Sequence, residues 1–352
     1  MKIVYIAPGS SIHTQKWIDA FSKNNDVFLI TMHKPNIEIK NCKVFVLSIK
    51  GSLGYYLNAF EVHKIVGNIK PDIINVHYAS GYGTLARVSK IGRYILNVWG
   101  SDVFDFPYES KLKMKIVKRN LLSAAQIAST SYVMKKQVER LVNVKKEIVV
   151  TPFGIDTSFF TPQKKEESDK IIIGTVKSLS QKYGINYLIK AYNYAYENGL
   201  KNSELRIVGG GSQKNELVDL ANSLPAKNNI TFVGVIPHTD VPKHLTQFDI
   251  YVALSESESF GVAIVEAEAC GIPVVVSDVG GLPEVVQNNE TGIIVPAKNY
   301  VEAGKAILTL ASNKALRTEM ATKARALAVE RYDWKLCVKI MESLFTAFIE
   351  TK

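Results

Sequence analysis

The feature that most restricts how this chain can fold is a rhythm that stops once and starts again. Short apolar runs, each of strand length, alternate with longer amphipathic stretches. That alternation is the pattern of βα units built on a parallel sheet. In the first half the runs fall at 2–7 (KIVYIA), 27–31, 43–48, 72–77 (DIINVH), 94–99 (YILNVW), 126–130 and 147–150, with helical patterns between them, for example at 15–23 and 57–68. The segment TPFGID (151–156), then FFTP (159–162) and the polar run QKKEESDK (163–170), reads as an interdomain linker. Strand patterns resume at 171–176, 205–210, 230–234, 249–254 (DIYVAL), 273–277 and 292–296, with helices at 186–198 and 261–270. Beyond residue 300 only helical pattern remains, ending at 334–349. The expected fold class is therefore α/β, with two Rossmann-like doubly wound domains, 1–160 and 165–334. A C-terminal helix at about 335–352 is expected to pack back on the first. A chain of 352 residues also exceeds what one core usually supports.

Charge is divided as unevenly as the pattern is even. Residues 1–160 hold 22 Lys and Arg against 11 Asp and Glu, and the remainder is close to neutral, so the net +10 sits in the first half. Such a half suits an anionic partner such as a membrane surface or a phosphorylated acceptor; the alternative is a solvated basic surface. Three scattered cysteines, Cys42, Cys270 and Cys337, argue for a reducing, cytoplasmic setting and against a disulfide framework. No Cys or His pair has zinc-ligand spacing. The opening MKIVYIAPGS is too short in its apolar part for a signal peptide and suits a first buried strand. No stretch has the length of a membrane span.

In open α/β sheets ligands bind beyond the carboxyl ends of the strands, and the chemistry-bearing motifs lie there. The most informative is SESESFGVAIVEAEACGIP (255–273), which starts where the strand pattern DIYVAL ends. Glu258 falls in the turn and Glu266 two helical turns into the next helix. Phe260, Gly261 and Val262 would present backbone N–H groups at the helix start, a site for phosphate. The bland alternative is that Glu258 caps the helix and Glu266 is a surface residue.

This stretch resembles the E-x7-E signature of retaining glycosyltransferases of family four (glycosyl transferases group 1), which have the GT-B architecture of two Rossmann-like domains facing across a cleft. Three further segments resemble that family in order: GTVKSLSQKYG (174–184), its basic loop; TPFGID; and VSDVGGLPE (276–284), its Gly-Gly turn with Gly280 and Gly281. The resemblance implies that Glu258 binds hydroxyls of the transferred hexose and Glu266 the ribose, while Lys177 and Lys182 neutralise the departing diphosphate. The first cation is more often Arg in the family, so a bidentate grip is lost at Lys177. Retention through a front-face reaction on a UDP- or GDP-sugar substrate, with no other cofactor, is likewise implied. No Asp-x-Asp pair accompanies a strand end, so no catalytic metal is expected. The basic first half points to a glycan or lipid-phosphate-linked acceptor, as in surface polysaccharide assembly.

The first half departs from the family at two places. Gly9 and Ser10 stand where a glycine pair is usual near the diphosphate, so the loop is expected to reach phosphate through hydroxyl and N–H donors. Trp99, in VWGSD (98–102), occupies the place of a donor-touching histidine, and an indole cannot act as acid or base. Asp102 is the substitute candidate for a hydroxyl contact at the active site. His13 and His77 are candidates for the acceptor side, against the alternative that they are helix-start and packing residues. In KLKMKIVKR (111–119) Lys111, Lys115 and Lys118 share one helical side, and Met114, Val117 and Leu121 another. That suits either an interfacial helix drawn to anionic lipid or a stripe facing the core.

GYGTLA (81–86) fits a loose dinucleotide fingerprint, but it follows the fourth strand pattern rather than the first, which argues against a dehydrogenase. A nucleotide-sugar epimerase of the same fold and an inactive partner subunit stay open as alternatives; retention of all four charged residues speaks against the second. No aromatic-rich basic stretch points to nucleic acid.

Overall fold

The computed structural model describes residues 1–144, 146–165 and 168–351. Glu166 and Glu167, in the polar run read as a linker, and Lys352, at the end of the tail, lie outside the described residues. The chain divides into two units, Met1–Phe153 with Cys337–Lys352, and Gly154–Leu336.

The first unit holds seven parallel strands: β1 (Lys2–Ile6), β2 (Asp26–Thr31), β3 (Cys42–Val46), β4 (Ile73–His77), β5 (Ile95–Val98), β6 (Gln126–Ser129) and the two-residue β7 (Val149–Val150). They are ordered β3-β2-β1-β4-β5-β6-β7. The strand order reverses beside β1, and a sheet of this kind opens a crevice at such a point. Central strands are buried on both faces, which is why their sequences read as unbroken apolar runs. Val4, Ile6, Ile30, Ile74, Val76, Leu96 and Val98 pack under one layer of helices, which contributes Val62, Val66, Tyr82, Leu85, Val117 and Leu121. The helix Trp334–Glu350 buries Cys337, Met341, Leu344, Phe345 and Phe348. Phe345 meets Phe21 at 5.0 Å, and the Arg93 guanidinium lies 4.6 Å from the Phe348 ring.

The second unit holds six parallel strands: β8 (Ile171–Val176), β9 (Ser203–Val208), β10 (Ile230–Gly234), β11 (Ile250–Ala253), β12 (Val274–Ser277) and β13 (Gly292–Val295), ordered β10-β9-β8-β11-β12-β13. Here the reversal lies between β8 and β11, which pair through Ile250–Ile173 and Tyr251–Gly174. Helices Ile185–Glu197 and Tyr300–Ser312 supply Leu188, Ile189, Tyr192, Ala303, Ile307 and Leu310 to its core.

Two local differences from the sequence reading have clear causes. The helix read at 57–68 is Ala59–Ile69, and a further helix that the sequence reading did not include, Gly51–Leu57, ends just before it at Asn58. Its buried side chain donates to the carbonyls of Ile49 and Gly54, both at 2.8 Å, and receives the Ile49 N–H. An Asn that bonds nearby backbone interrupts a helix in this way. The second is the division between units, which falls at Phe153, ahead of the expected 160. Arg325 gathers the carbonyls of Thr157, Phe160 and Ala269 at 2.7–2.9 Å, tying the segment after Gly154 into the second unit. Among the described residues no helix is long and apolar enough to cross a membrane.

Candidate functional site

The loops after β8, β11 and β12 lie together at the carboxyl ends of the second sheet, and glycine is what lets them touch. Gly280 has φ +52, and a Cβ on it would stand 1.8 Å from the Glu258 carbonyl oxygen. Gly184 has φ +60, and its Cβ would stand 1.9 Å from the Leu254 carbonyl. Neither position accepts a side chain without moving a backbone. Hydrogen bonds complete the stacking: the Gly281 N–H donates to Glu258 O at 2.9 Å, and the Glu256 N–H to Lys182 O at 2.7 Å.

On this platform Lys177 Nζ lies 2.6 Å from Glu258 Oε2, with the two side chains only 9% and 14% exposed. Burial works against the Lys177 charge, but Glu258 and Tyr251 more than offset it, so its pKa is raised above the ordinary lysine value. The Tyr183 ring lies 4.8 Å from the Lys177 ammonium and 4.9 Å from that of Lys182, so one aromatic ring carries both cations. Lys182 is exposed, and among the described residues its ammonium has no carboxylate in ion-pair reach. The helix Val262–Ala269 starts at Gly261, whose carbonyl takes the N–H groups of Ile264 and Val265. In such a helix the first-turn amides of Val262 and Ala263 have no acceptor within the helix itself. The Phe260 side chain is buried against Tyr332, ring centroids 5.5 Å apart.

Glu266 is nearly buried and its Oε1 lies 3.1 Å from His238 Nε2. The sequence reading assigned His238 nothing. Its signal was its place, four residues past the end of β10, where the approach of a ligand is expected. The His238 ring also meets Phe160 edge-on at 5.6 Å. Glu268 differs from its neighbour: it is fully buried, with Oε1 accepting from Thr291 Oγ1 at 2.9 Å and Oε2 without a partner among the described residues. Burial raises its pKa well above the usual carboxylate range, and the Thr291 hydroxyl offsets only part of that.

In the first unit the candidates part company. His13, His77, Trp99 and Phe153 form one aromatic cluster, His13 stacking on Phe153 at 4.1 Å and His77 lying 4.1 Å from Trp99. His77 does not point to an open face as expected. It is fully buried at the end of β4, and burial, with His13 nearby, pushes its pKa down to about 3. Asn97 Nδ2 donates to Asn75 Oδ1, which turns the Asn75 amide toward His77 Nε2 at 3.4 Å and leaves His77 Nδ1 to meet Thr14 Oγ1 at 3.3 Å. His77 is thus a neutral packing histidine.

Asp102 also needs correction as a hydroxyl contact. Its carboxylate is 1% exposed and accepts from the N–H groups of Ala79 at 2.7 Å, Gly100 at 2.8 Å and Trp99 at 3.1 Å. It braces the turns after β4 and β5 and has no face left for a ligand. Gly9 is likewise engaged: its N–H donates to Thr31 Oγ1 at 3.0 Å and its carbonyl accepts from Gln15 at 2.8 Å. Ser10, beside it, is exposed. In the helix Lys111–Ser123, Met114, Val117 and Leu121 pack into the core while Lys111, Lys115 and Lys118 face water.

Two family models match the chain: "Glycosyl transferases group 1" over residues 156–327 and "Glycosyl transferase 4-like" over residues 2–131. The first spans every loop of the second-unit site. Among curated proteins, the putative teichuronic acid biosynthesis glycosyltransferase TuaC of Bacillus subtilis is 29% identical over 206 residues, 54% of this chain and 49% of that protein. An uncharacterized glycosyltransferase of Methanocaldococcus jannaschii is 25% identical over 81% of this chain and 78% of its own length. The chain therefore spans about half the length of the first of these and over three quarters of the second. Among solved structures, Anabaena HepE in complex with UDP has a TM-score of 0.85 at 18% identity, covering 99% of this chain and 100% of that one. Sucrose-phosphate synthase of Thermosynechococcus elongatus has a TM-score of 0.85 at 18% identity, with full coverage of both. At such identities the likeness is one of fold.

Proposed function

The chain belongs to the GT-B glycosyltransferases of the family-four-like group, and on that premise we propose that it is a retaining transferase, moving a hexose or its derivative from a nucleoside-diphosphate sugar to a glycan or lipid-linked acceptor. The observation that carries this reading is the half-buried Lys177–Glu258 pair beside the exposed Lys182 and the first-turn amides of Val262 and Ala263, which have no acceptor within their own helix. A diphosphate needs cations and N–H donors, and a hexose needs a carboxylate to accept from its hydroxyls. On binding, Lys177 exchanges part of its contact with Glu258 for phosphate, and Glu258 is released to the sugar. Glu266, held by His238, accepts from the ribose. HepE is described with UDP, with UDP and glucose, and with UDP-glucose, which favours a uridine donor here too.

In the reaction we envisage, the bond from the anomeric carbon to the diphosphate oxygen breaks as the acceptor oxygen attacks from the same face. The acceptor proton passes to the leaving phosphate. Charge on that phosphate rises as the bond breaks, so Lys177, Lys182 and the helix amides stabilise the transition state more than the bound donor. In this scheme the lysines supply the positive charge and the chain uses no metal. TuaC's description favours a surface polysaccharide as the product class. Three cysteines scattered along the chain suit the reducing cytoplasm as the working compartment.

The test is incubation with a panel of UDP- and GDP-sugars and a lipid-phosphate-linked glycan acceptor. Acceptor-dependent release of nucleoside diphosphate is expected, with the donor's anomeric configuration kept in the product by NMR coupling. No release with any donor would overturn the proposal, and release of free sugar independent of acceptor would favour an epimerase-like relative.

A further inference from the structure

The turn that follows β8 holds one aromatic residue in a set place. The Lys182 carbonyl accepts from the Glu256 N–H at 2.7 Å, the Tyr183 N–H donates to Ser180 O at 3.0 Å, and the Gly184 N–H donates to Gln181 O at 3.0 Å. Gly184 in turn lies so close to the Leu254 carbonyl that a Cβ would stand 1.9 Å from it. With its backbone held before and after it, the half-buried Tyr183 keeps its ring beside the loop after β11. Both lysines of the site lie over that ring, Lys177 Nζ at 4.8 Å and Lys182 Nζ at 4.9 Å from its centroid. These distances fall inside the ~6 Å at which a ring quadrupole attracts a cation. The two lysines differ in what else holds them. Lys177 is anchored by Glu258 Oε2 at 2.6 Å. Lys182 is exposed and has no carboxylate in ion-pair reach among the described residues, and the Tyr183 ring supplies a restraint on its flexible stem. Two ammonium groups on one ring also repel each other, and the negative π face offsets part of that repulsion.

We propose that Tyr183 is a positioning residue for the diphosphate, its ring holding Lys177 and Lys182 together as one preset anion-binding pair. A lysine stem loses rotamer freedom when its ammonium meets a phosphate, and a stem already resting on a ring has less to lose. A preset pair also meets the charge that grows on a leaving phosphate without first reorganising. An aliphatic side chain of similar size would fill the same space and attract neither cation. The benefit is therefore selective: it reaches a ligand through the two ammonium groups, in proportion to the phosphate they contact. The inference rests on the diphosphate reading of the two lysines and adds to it the residue that keeps them paired.

Full-length protein and its Tyr183→Leu and Tyr183→Phe variants are titrated calorimetrically with UDP, UMP and inorganic diphosphate. Tyr183→Leu is expected to weaken UDP and diphosphate about tenfold, and UMP, which lacks one phosphate, less than either. Tyr183→Phe keeps the π face and should recover the parent's affinities. A ring that only packs would lower the melting temperature and weaken all three ligands alike, and that result overturns the inference. NMR of protein labelled at the lysine ε-carbons reads the same contact with no ligand present. The ε-methylene protons of Lys177 and Lys182 should lie upfield through the ring current and return to the ordinary lysine position in Tyr183→Leu. Ordinary positions in the parent overturn the inference whether or not a nucleotide binds, and so does a parent that binds neither UDP nor diphosphate. Diphosphate binding that depends on Tyr183, with UDP bound no tighter, counts against the nucleotide-sugar reading only. Equal UDP affinity in the parent and Tyr183→Leu leaves that reading standing and overturns this one.

Discussion

Lys177 and Glu258 neutralise each other, and that mutual satisfaction sets what happens when either is changed. Under the proposed function Glu258→Gln removes the carboxylate that meets the hexose and strands a half-buried ammonium, so transfer is expected to fall about a hundredfold or more. Lys177→Met combined with Glu258→Gln should recover melting temperature but not transfer, because the charge pair contributes to both and its apolar replacement only to one. Recovery of transfer in the double variant would contradict the assignment. Two buried groups away from this pair predict the pH dependence of stability. His77 is neutral in the folded chain, with its pKa down from 6.5 to about 3. The unfolded chain binds the extra proton throughout that window, so stability should decline as pH falls from about 6.5 toward 3, and His77→Gln should flatten the decline. Glu268 behaves oppositely: its folded pKa is raised, so the unfolded chain loses the proton first and stability falls as pH rises above 4.5. Glu268→Gln should therefore raise the melting temperature at neutral pH and hardly at all at pH 4; an equal shift at both would show that Glu268 is not held protonated. None of this was readable from residue types. Glu266 and Glu268 look alike in the sequence, and only their partners, His238 and Thr291, tell them apart.

The elements that make the site are loops, and their shape depends on what is missing from Gly280 and Gly184. Gly280→Ala would put a methyl group 1.8 Å from the Glu258 carbonyl at a φ of +52, so the turn has to move off the platform that carries Glu258. Loss of donor binding and of about 2 kcal/mol or more of stability is expected, read by calorimetry and denaturant unfolding; unaltered UDP affinity would show the loop packing to be incidental. Strand pattern and loop motifs were legible here because a parallel sheet buried on both faces writes itself as apolar runs. The three runs at 171–176, 230–234 and 292–296 begin where β8, β10 and β13 begin. Helix ends and side-chain roles were less so. Asn58 breaks a helix through tertiary bonds to Ile49 and Gly54, and Asp102 spends its carboxylate on three backbone N–H groups that no spacing rule reveals.

At the scale of the whole molecule, a basic unit with an aromatic cluster contrasts with a near-neutral unit whose loops gather cations and carboxylates. The charge difference was visible in the sequence, but the inward turn of His77 and the exposure of Leu53 and Phe60 were not, because both depend on which side of a strand or helix meets the sheet. Hydrogen exchange with and without UDP follows from this division. Protection is expected in 177–184, 255–266 and 278–284, with His77 and the bracing of Asp102 unchanged. A nucleotide at a hundred times its dissociation constant should add about 2.7 kcal/mol to the state that binds it.

The direct measurement is a crystal structure with a nucleoside diphosphate bound. The diphosphate is expected within hydrogen-bond reach of the Val262 and Ala263 amides, with Lys177 turned from Glu258 toward it, Lys182 on its open side, and the ribose hydroxyls on Glu266. A nucleotide found elsewhere, with the Lys177–Glu258 pair intact and the helix amides facing water, would contradict the account.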